Sequence, residues 1–173
     1  MRNEKNFWRT HQFHQISVSC EQFFVAGGNK VEFVKVELMK RNHKVGMNYW
    51  HLEFATKYRY KMFNKFKYKN LIEACIRKSA KAHGIKIEII RVMPEHIHML
   101  VTLPMAMDDS DAFQVLKGAS AHYFFKHHPK ARLRYPKGHL WSKGGCAVTV
   151  GYNQFNDTIK YILNQEQHHA LAV

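Results

Sequence analysis

The chain has 173 residues, 46% of them hydrophobic and 23% charged, a composition that predicts one compact domain with a real core and argues against global disorder. Lys and Arg number 27 against 13 Asp and Glu, and the formal net charge of +14 favours an anionic partner, with nucleic acid as the first candidate. No apolar run approaches the roughly 18 residues of a membrane span, and the first residues lack the apolar region of a signal peptide. With three cysteines and no Cys-x-x-Cys pair, the sequence predicts a cytoplasmic protein with reduced thiols and no membrane partner.

Residues 1–43 are the least interpretable part of the sequence. Gly27-Gly28-Asn29 is typical of a turn. Residues 31–39 resemble a strand, but the alternation of side chains breaks between Phe33 and Val34. We interpret this region as an N-terminal extension of uncertain order that could add an edge strand. A separate domain is predicted for residues 44–173, where the patterns become regular.

Seven elements are predicted in that domain from hydrophobic periodicity and from turn and capping residues. In chain order they are a strand at 47–56, a helix at 69–84, strands at 85–93 and 96–103, a helix at 113–127, a strand at 146–151 and a helix at 154–169. This order is that of a split βαβ, or ferredoxin-like, α+β fold with one helix added at the C-terminus. We expect an antiparallel sheet with helices on one face and its other face free for a substrate or partner.

The fourth of these elements, the strand at 96–103, carries the strongest chemical pattern. Its alternation places two imidazoles, His96 and His98, on one side of the strand and a set of apolar residues on the other. The imidazoles would lie about 7 Å apart along the strand. Two imidazoles so placed can share one divalent metal ion, but they cannot fill its coordination shell. Alternatively, the chain has 13 histidines, and an exposed strand face tolerates such a pair by chance.

The last predicted helix offers two further candidates. Tyr161 and Gln165 are four residues apart and therefore share a helix face. A tyrosine phenol can attack phosphorus, and a glutamine carbonyl one turn away can act as a neutral oxygen ligand for a metal. The alternative is an ordinary amphipathic helix with a Tyr and a Gln on its surface, because a Tyr-x-x-x-Gln spacing is weak by itself.

Taken together, five short segments in this order resemble the single-tyrosine HUH transposases, the small enzymes of the insertion-sequence-200-like class, where HUH stands for His, a hydrophobic residue, His. The segments are Lys57-Tyr58-Arg59-Tyr60, Pro94-Glu95-His96-Ile97-His98-Met99-Leu100-Val101, Leu116-Lys117-Gly118-Ala119-Ser120, Leu140-Trp141-Ser142 with the following strand, and Tyr161-Ile162-Leu163-Asn164-Gln165. The resemblance covers about 125 residues. It departs from the family at Glu95, where an Asp commonly stands, and at Gly144-Gly145-Cys146, where an aromatic residue is expected.

The resemblance implies a transposase that cleaves and rejoins single-stranded DNA at insertion-sequence ends. Tyr161 would be the nucleophile and would form a 5′-phosphotyrosine link. A divalent ion, Mg²⁺ or Mn²⁺, would be held by His96, His98 and Gln165. Zinc would be the default on ligand type alone, but phosphoryl transfer ranks it lower. Glu95 would orient a ligating histidine from outside the ligand set, or would only form the turn.

The resemblance also implies partners, namely single-stranded DNA with hairpins and a second copy of the chain. Basic and aromatic residues alternate after the first strand, a pattern that suits phosphates and stacked bases. Our DNA-binding candidates are Lys57, Tyr58, Arg59, Tyr60, Lys61 and, in the helix at 113–127, Lys117. The alternative for this stretch is a solvated loop with some aromatic residues in the core.

Three rival functions remain open at the level of sequence. The first is a ferredoxin-like nucleic-acid-binding module without catalysis, in which the histidines and Tyr161 are incidental. The second is another HUH endonuclease, such as a replication initiator, a relaxase or a domesticated relative. The third is a metal-dependent phosphoesterase that only hydrolyses and forms no covalent protein–DNA adduct.

Overall fold

The computed structural model describes residues 25–26, 29–30, 38–41, 44–151, 154–165 and 167. The first 24 residues and most of the strand-like stretch at 31–39 lie outside these, so the order of the N-terminal extension stays a prediction. Strands β1 (Val25–Ala26) and β2 (Asn29–Lys30) pair with each other in a unit, Met1–Glu37, that is separate from the rest of the chain. In the second unit, β3 (Met39–Arg41) and β4 (Lys44–Gly46) form another antiparallel pair.

A four-stranded antiparallel sheet organises the second unit. Its elements follow in the order β5 (Tyr49–Ala55), α1 (Phe66–Ala82), β6 (Lys86–Val92), β7 (His96–Thr102), α2 (Asp109–His127), β8 (Cys146–Thr149) and α3 (Phe155–Leu163). The strand order across the sheet is β6-β7-β5-β8, with β7 and β5 in the middle. The predicted ferredoxin-like α+β fold is confirmed, and all seven predicted elements are present in the predicted order.

Two helices begin earlier than the sequence analysis placed them. Helix α1 begins three residues before the predicted start and ends at Ala82, two residues before the predicted end at Gly84, whose φ of 69° is accessible to glycine at little cost. The amide of Ile85 closes that end by donating to the carbonyl of Ala80. Helix α2 begins at Asp109, four residues early, because the Asp108 carboxylate caps it by accepting a hydrogen bond from the Asp111 amide at 2.8 Å.

The hydrophobic core lies between one face of the sheet and helices α1 and α2. We call this the core face, defined on β7 by Ile97, Met99 and Val101, all of which have no exposed surface. Apolar side chains of α1 and α2 such as Ile76 and Leu116 complete the same cluster. Each such side chain contributes about 2 kcal/mol by leaving water. This face therefore holds the sheet and the two helices together.

The opposite face, defined on β7 by His96, His98 and Leu100, is the histidine face. We expected it to be free, and that expectation is wrong along part of its length. Helix α3 packs here, with the Phe155 ring edge-on to Tyr49 on β5 at a centroid distance of 4.8 Å. The two histidines are 2–3% exposed and Leu100 is fully buried. Helix α3 therefore covers part of the histidine face, and the rest of this face is not covered by it.

Strand β6 carries a bulge at Glu88, between Ile87 and Ile89. The buried Glu88 carboxylate accepts a hydrogen bond of 2.6 Å from the Thr102 hydroxyl and pairs with the Lys86 ammonium at 3.2 Å. The bulge lets the strand keep its pairing with β7 on both sides of the extra residue. Among the helices of the described residues, none is both long and apolar enough to cross a membrane.

Candidate active site

His96 and His98 lie at the centre of the histidine face with their ring centroids 5.0 Å apart. The turn at Pro94 and Glu95 fixes them there, closed by a hydrogen bond from the Met93 amide to the His96 carbonyl. In each ring Nδ1 faces a neighbouring side chain. His96 Nδ1 is 3.2 Å from the Glu95 carboxylate, and His98 Nδ1 is 3.3 Å from Nε2 of His51. Partners of this kind set the tautomer and orientation of metal-binding imidazoles.

A third candidate ligand, Glu53, was missed by the sequence analysis. It lies on β5 directly opposite His98, and its Oε2 is 3.8 Å from His98 Nδ1. One potential ligand atom from each of Glu53, His96 and His98 lies within 4.8 Å of the others. A carboxylate with two imidazoles suits Mg²⁺, Mn²⁺ or zinc, so these residues fit a divalent ion. In the sequence, the only indication of Glu53 is that it alternates with His51 along β5. That alternation points to the metal site only when the pairing register of β5 with β7 is known.

His51 joins the histidine pair to the tyrosine. Its ring stacks on His98 at 5.5 Å with an angle of 19° between the planes. It also meets the Tyr161 ring edge-on at 5.7 Å. Burial lowers the pKa of His51 below its ordinary value, and the nearby Glu53 carboxylate opposes that shift. A neutral His51 can accept or donate a hydrogen bond to His98 without adding a positive charge.

Helix α3 carries the two remaining predicted site residues. Phe155, Ile159 and Ile162 anchor its buried side, which leaves the Tyr161 side chain 47% exposed. The Tyr161 ring lies 6.1 Å from the ring of His98. Gln165 is buried one turn later, and its amide nitrogen donates to the Tyr161 carbonyl at 3.4 Å. The structure thus brings His96, His98 and Tyr161 together and seats Gln165 against the helix backbone.

The basic and aromatic stretch begins with a short 3-10 turn, Lys57–Arg59. Tyr58 and Arg59 have φ angles of 63° and 50°, a left-handed conformation that costs non-glycine residues about 1 kcal/mol or more each. The turn holds the Tyr58 ring outward, 67% exposed. It also brings the Arg59 guanidinium within 4.0 Å of the Glu95 carboxylate. Because Glu95 contacts His96, the predicted DNA-binding stretch borders the metal-binding candidates.

The other aromatic residue of this stretch, Tyr60, is part of a small cationic and aromatic cluster. The Arg134 guanidinium lies 4.5 Å from the centre of its ring, and the rings of Tyr58 and Tyr135 lie 5.5 and 5.7 Å away. The Lys57 ammonium lies 5.2 Å from the Tyr58 ring, and Lys61 is exposed. Cations in contact with aromatic rings form a preorganised surface for stacked bases and phosphates.

The Lys117 side chain binds the backbone of the loop before β8. Its ammonium donates to the carbonyls of Ser142, Lys143 and Gly144 at 3.4, 3.2 and 2.9 Å. Burial lowers its pKa. Lys117 therefore holds the loop that leads into β8, while its predicted contact with DNA stays a prediction.

One of the two glycines in that loop, Gly145, has a packing explanation. A Cβ on Gly145 would lie 2.8 Å from both the Glu53 carbonyl oxygen and Cζ of Phe113. Such a distance is too short for real Cβ contacts, so only glycine fits without movement. The place where an aromatic residue was expected is thus occupied from the other side by the Phe113 ring. The close approach also places Gly145 directly against the backbone of Glu53 on β5.

A His-hydrophobic-His strand at the centre of a ferredoxin-like sheet, with a tyrosine on an adjacent helix, defines the class of single-tyrosine HUH transposases. A family model described as "Transposase IS200 like" matches residues 44–165. The chain therefore belongs to the IS200-like transposase family.

Individual relatives agree with the family. The chain is 28% identical to the ISDra2 transposase TnpA of Deinococcus radiodurans over 130 residues, which are 75% of this chain and 92% of that protein. A crystal structure of a Deinococcus radiodurans transposase matches with a TM-score of 0.59 and 29% identity, covering 73% of this chain and 97% of that one. A REP-associated tyrosine transposase, solved bound to a REP hairpin, shares the fold with a TM-score of 0.54 at 18% identity, covering 76% and 73%.

Proposed function

We propose that this transposase cleaves and rejoins single-stranded DNA at insertion-sequence ends through a 5′-phosphotyrosine intermediate on Tyr161. One observation carries the proposal. The partly exposed Tyr161 ring lies 6.1 Å from His98, beside a cluster of two imidazoles and a carboxylate whose ligand atoms lie within 4.8 Å of one another. A phenol beside a group of side chains that can hold a divalent cation suits covalent phosphoryl transfer.

The chemistry follows from the phenol. The Tyr161 oxygen attacks the scissile phosphorus and loses its proton, and the bond from phosphorus to the 3′ oxygen breaks. That oxygen takes up a proton and leaves as a 3′-hydroxyl, while the 5′ phosphate stays on the tyrosine. Rejoining is the reverse attack by a 3′-hydroxyl on the phosphotyrosine. Because the covalent link conserves the phosphodiester bond energy, joining needs no ATP.

We propose His96, His98 and Gln165 as ligands of Mg²⁺ or Mn²⁺, with the Glu53 carboxylate as a further oxygen ligand. When bound, the ion would supply Lewis-acid stabilisation of the negative charge that develops on the phosphate. The side chains beyond the ligands have orienting roles. Glu95 holds His96 through Nδ1, and His51 does the same for His98.

The DNA would run over the stretch made of Lys57, Tyr58, Arg59, Tyr60 and Lys61 and towards the loop held by Lys117. Exposed Tyr58 offers a ring for base stacking, and the Arg59–Glu95 contact at 4.0 Å connects this surface with His96. The REP-associated relative binds a DNA hairpin in its solved structure, which supports hairpin recognition here. We also propose a homodimer, which sedimentation at several concentrations would detect.

The test is a covalent-adduct assay. The full chain and its Tyr161→Phe variant are incubated with labelled single-stranded element ends and Mn²⁺ or Mg²⁺, then separated by denaturing electrophoresis. We expect a DNA-shifted protein band that disappears with Tyr161→Phe and with EDTA. A matched control is Tyr123→Phe on α2, whose ring lies 4.3 Å from the Lys78 ammonium and which should leave the band unchanged.

The result also separates the rival functions. DNA cleavage without any adduct would favour a hydrolytic phosphoesterase. Binding of hairpin DNA without cleavage, unchanged by Tyr161→Phe, would favour a non-catalytic binding module. An adduct that forms only on replication origins or chromosomal repeats would place the chain with another group of HUH endonucleases.

A further inference from the structure

Arg91 on β6 occupies a position that neither the sequence analysis nor the proposed mechanism uses. It lies directly opposite His98 across the β6–β7 pairing, just as Glu53 lies opposite His98 across the β5–β7 pairing. Cross-strand partners share a face of the sheet, with Cβ atoms about 5 Å apart. Glu53, His98 and Arg91 therefore form one row on the histidine face, with a carboxylate at one end and a guanidinium at the other.

Nε of Arg91 is buried and makes no hydrogen bond within the part of the chain that the structure describes, although the residue as a whole is only partly buried. Other arginines of the domain are engaged: Arg77 donates twice to Glu73 at 3.0 and 2.8 Å, and Arg134 lies against Tyr60. A buried donor that lacks an acceptor is costly, so a ligand that supplies an acceptor is favoured at this position.

We propose that Arg91 binds a phosphate group of the single-stranded DNA next to the cleaved bond, a proposal that rests on the function given above. A guanidinium presents planar, paired donors that match phosphate oxygens better than an ammonium does. The two ends of the row carry opposite charges. The carboxylate of Glu53 favours a cation, and the guanidinium of Arg91 favours an anion such as a DNA phosphate. Arg91 would thereby also stabilise charge that develops on the transferred phosphoryl group.

The experiment measures DNA binding apart from catalysis. Binding of a fluorescein-labelled oligothymidylate of about 20 nucleotides, longer than the site of one single-strand-binding fold, is followed by anisotropy in EDTA over a range of salt concentrations. Each phosphate contact contributes about 0.7 to the slope of log affinity against log salt. We expect Arg91→Gln to lower that slope by about 0.7. The matched control Arg77→Gln, with the same charge change on the exposed side of α1, should leave it unchanged.

The adduct assay then gives a second measurement with the same variants. We expect Arg91→Gln to slow single-turnover adduct formation about 100-fold at saturating DNA. Arg91→Lys should keep the salt slope and recover part of the rate, because it retains the charge but not the paired donors. Unchanged melting by circular dichroism would confirm that each variant is folded.

The outcomes separate this proposal from the one it rests on. A salt slope for Arg91→Gln equal to that of Arg77→Gln, with wild-type adduct formation, would overturn the role of Arg91 and leave the tyrosine chemistry standing. A lowered slope without any adduct from the wild-type chain would support the phosphate contact and overturn the catalytic proposal.

Discussion

The two faces of the central strand β7 are both buried but for different reasons. On the core face, Ile97 and Met99 pack against apolar side chains of two helices. On the histidine face, His96 and His98 are almost as deeply buried, yet they contact titratable groups and lie beneath α3. Burying polar groups costs free energy unless they are paired. The comparison teaches that one face is selected for stability and that the other gives up stability for a preorganised site.

The largest expected effect tests the core face. Phe54 on β5 packs edge-on to Trp141 at 4.7 Å and is 1% exposed. We expect Phe54→Ala to lower the free energy of unfolding by about 4 kcal/mol, because the cavity cannot fill. His98→Asn, on the other face of the same sheet, should cost less than half of that in the absence of metal. Urea unfolding of both variants in EDTA would measure this, and equal costs would remove the distinction between the faces.

An intermediate effect is expected at Gly145, which lies between the backbone of Glu53 and the Phe113 ring. A Cβ there would meet the Glu53 carbonyl and the Phe113 ring at 2.8 Å, whereas one on Gly144 would meet nothing within 4 Å. We expect Gly145→Ala to lower the free energy of unfolding by about 2 kcal/mol through overpacking. Gly144→Ala should be near neutral. Thermal unfolding compares the pair, and equal melting temperatures would contradict the packing explanation.

The smallest effect is a pH dependence from the histidine face. Burial lowers the pKa of His51 below its unfolded value of 6.5, so between the two values the unfolded chain binds more protons. The free energy of unfolding should therefore fall as the pH decreases below 6.5 and level off below the folded pKa. We expect His51→Gln to weaken this fall in urea unfolding between about pH 7.5 and pH 5 in EDTA.

A second histidine provides the comparison for that measurement. Burial, with Lys67 and Lys130 nearby, also lowers the pKa of His128, so His51→Gln should remove only part of the dependence and His128→Gln another part. A pH dependence that is identical in wild type and His51→Gln would show that His51 is not protonated differently in the two states.

The fold was predictable because the patterns that define each strand and helix lie within that element's own stretch of sequence. Period-two alternation marked β7, the stripe containing Ile72 and Ile76 marked α1, and Gly84 marked the end of that helix. The start of α1 was predicted three residues late because Lys65, its N-cap, makes no side-chain capping bond. The sequence offers no capping residue at that point.

The site was predictable only in part because half of it depends on strand pairing. His96 and His98 are neighbours in sequence, and their side-by-side placement follows from alternation alone. Glu53, His51 and Arg91 reach the same site only through the registers of two different strand pairs. Single-sequence periodicity does not fix a register between distant strands. The location of α3 on the histidine face likewise depends on contacts between elements far apart in sequence.

The bulge at Glu88 has a consequence for how the length of this strand can change. Lys86 and Arg91 on β6 lie opposite Thr102 and His98 on β7. The two β6 residues are an odd number of positions apart in sequence, whereas their two partners on β7 are an even number apart. In a regular strand an odd separation would place the two side chains on opposite faces. Glu88 is the extra residue that keeps Lys86 and Arg91 on the same face of the sheet. Loss of Glu88 alone would leave an even separation on both strands, so a regular ladder would keep both ends of β6 on their present faces. Loss of two residues here would leave an odd separation without a bulge and would turn one end of β6 to the opposite face.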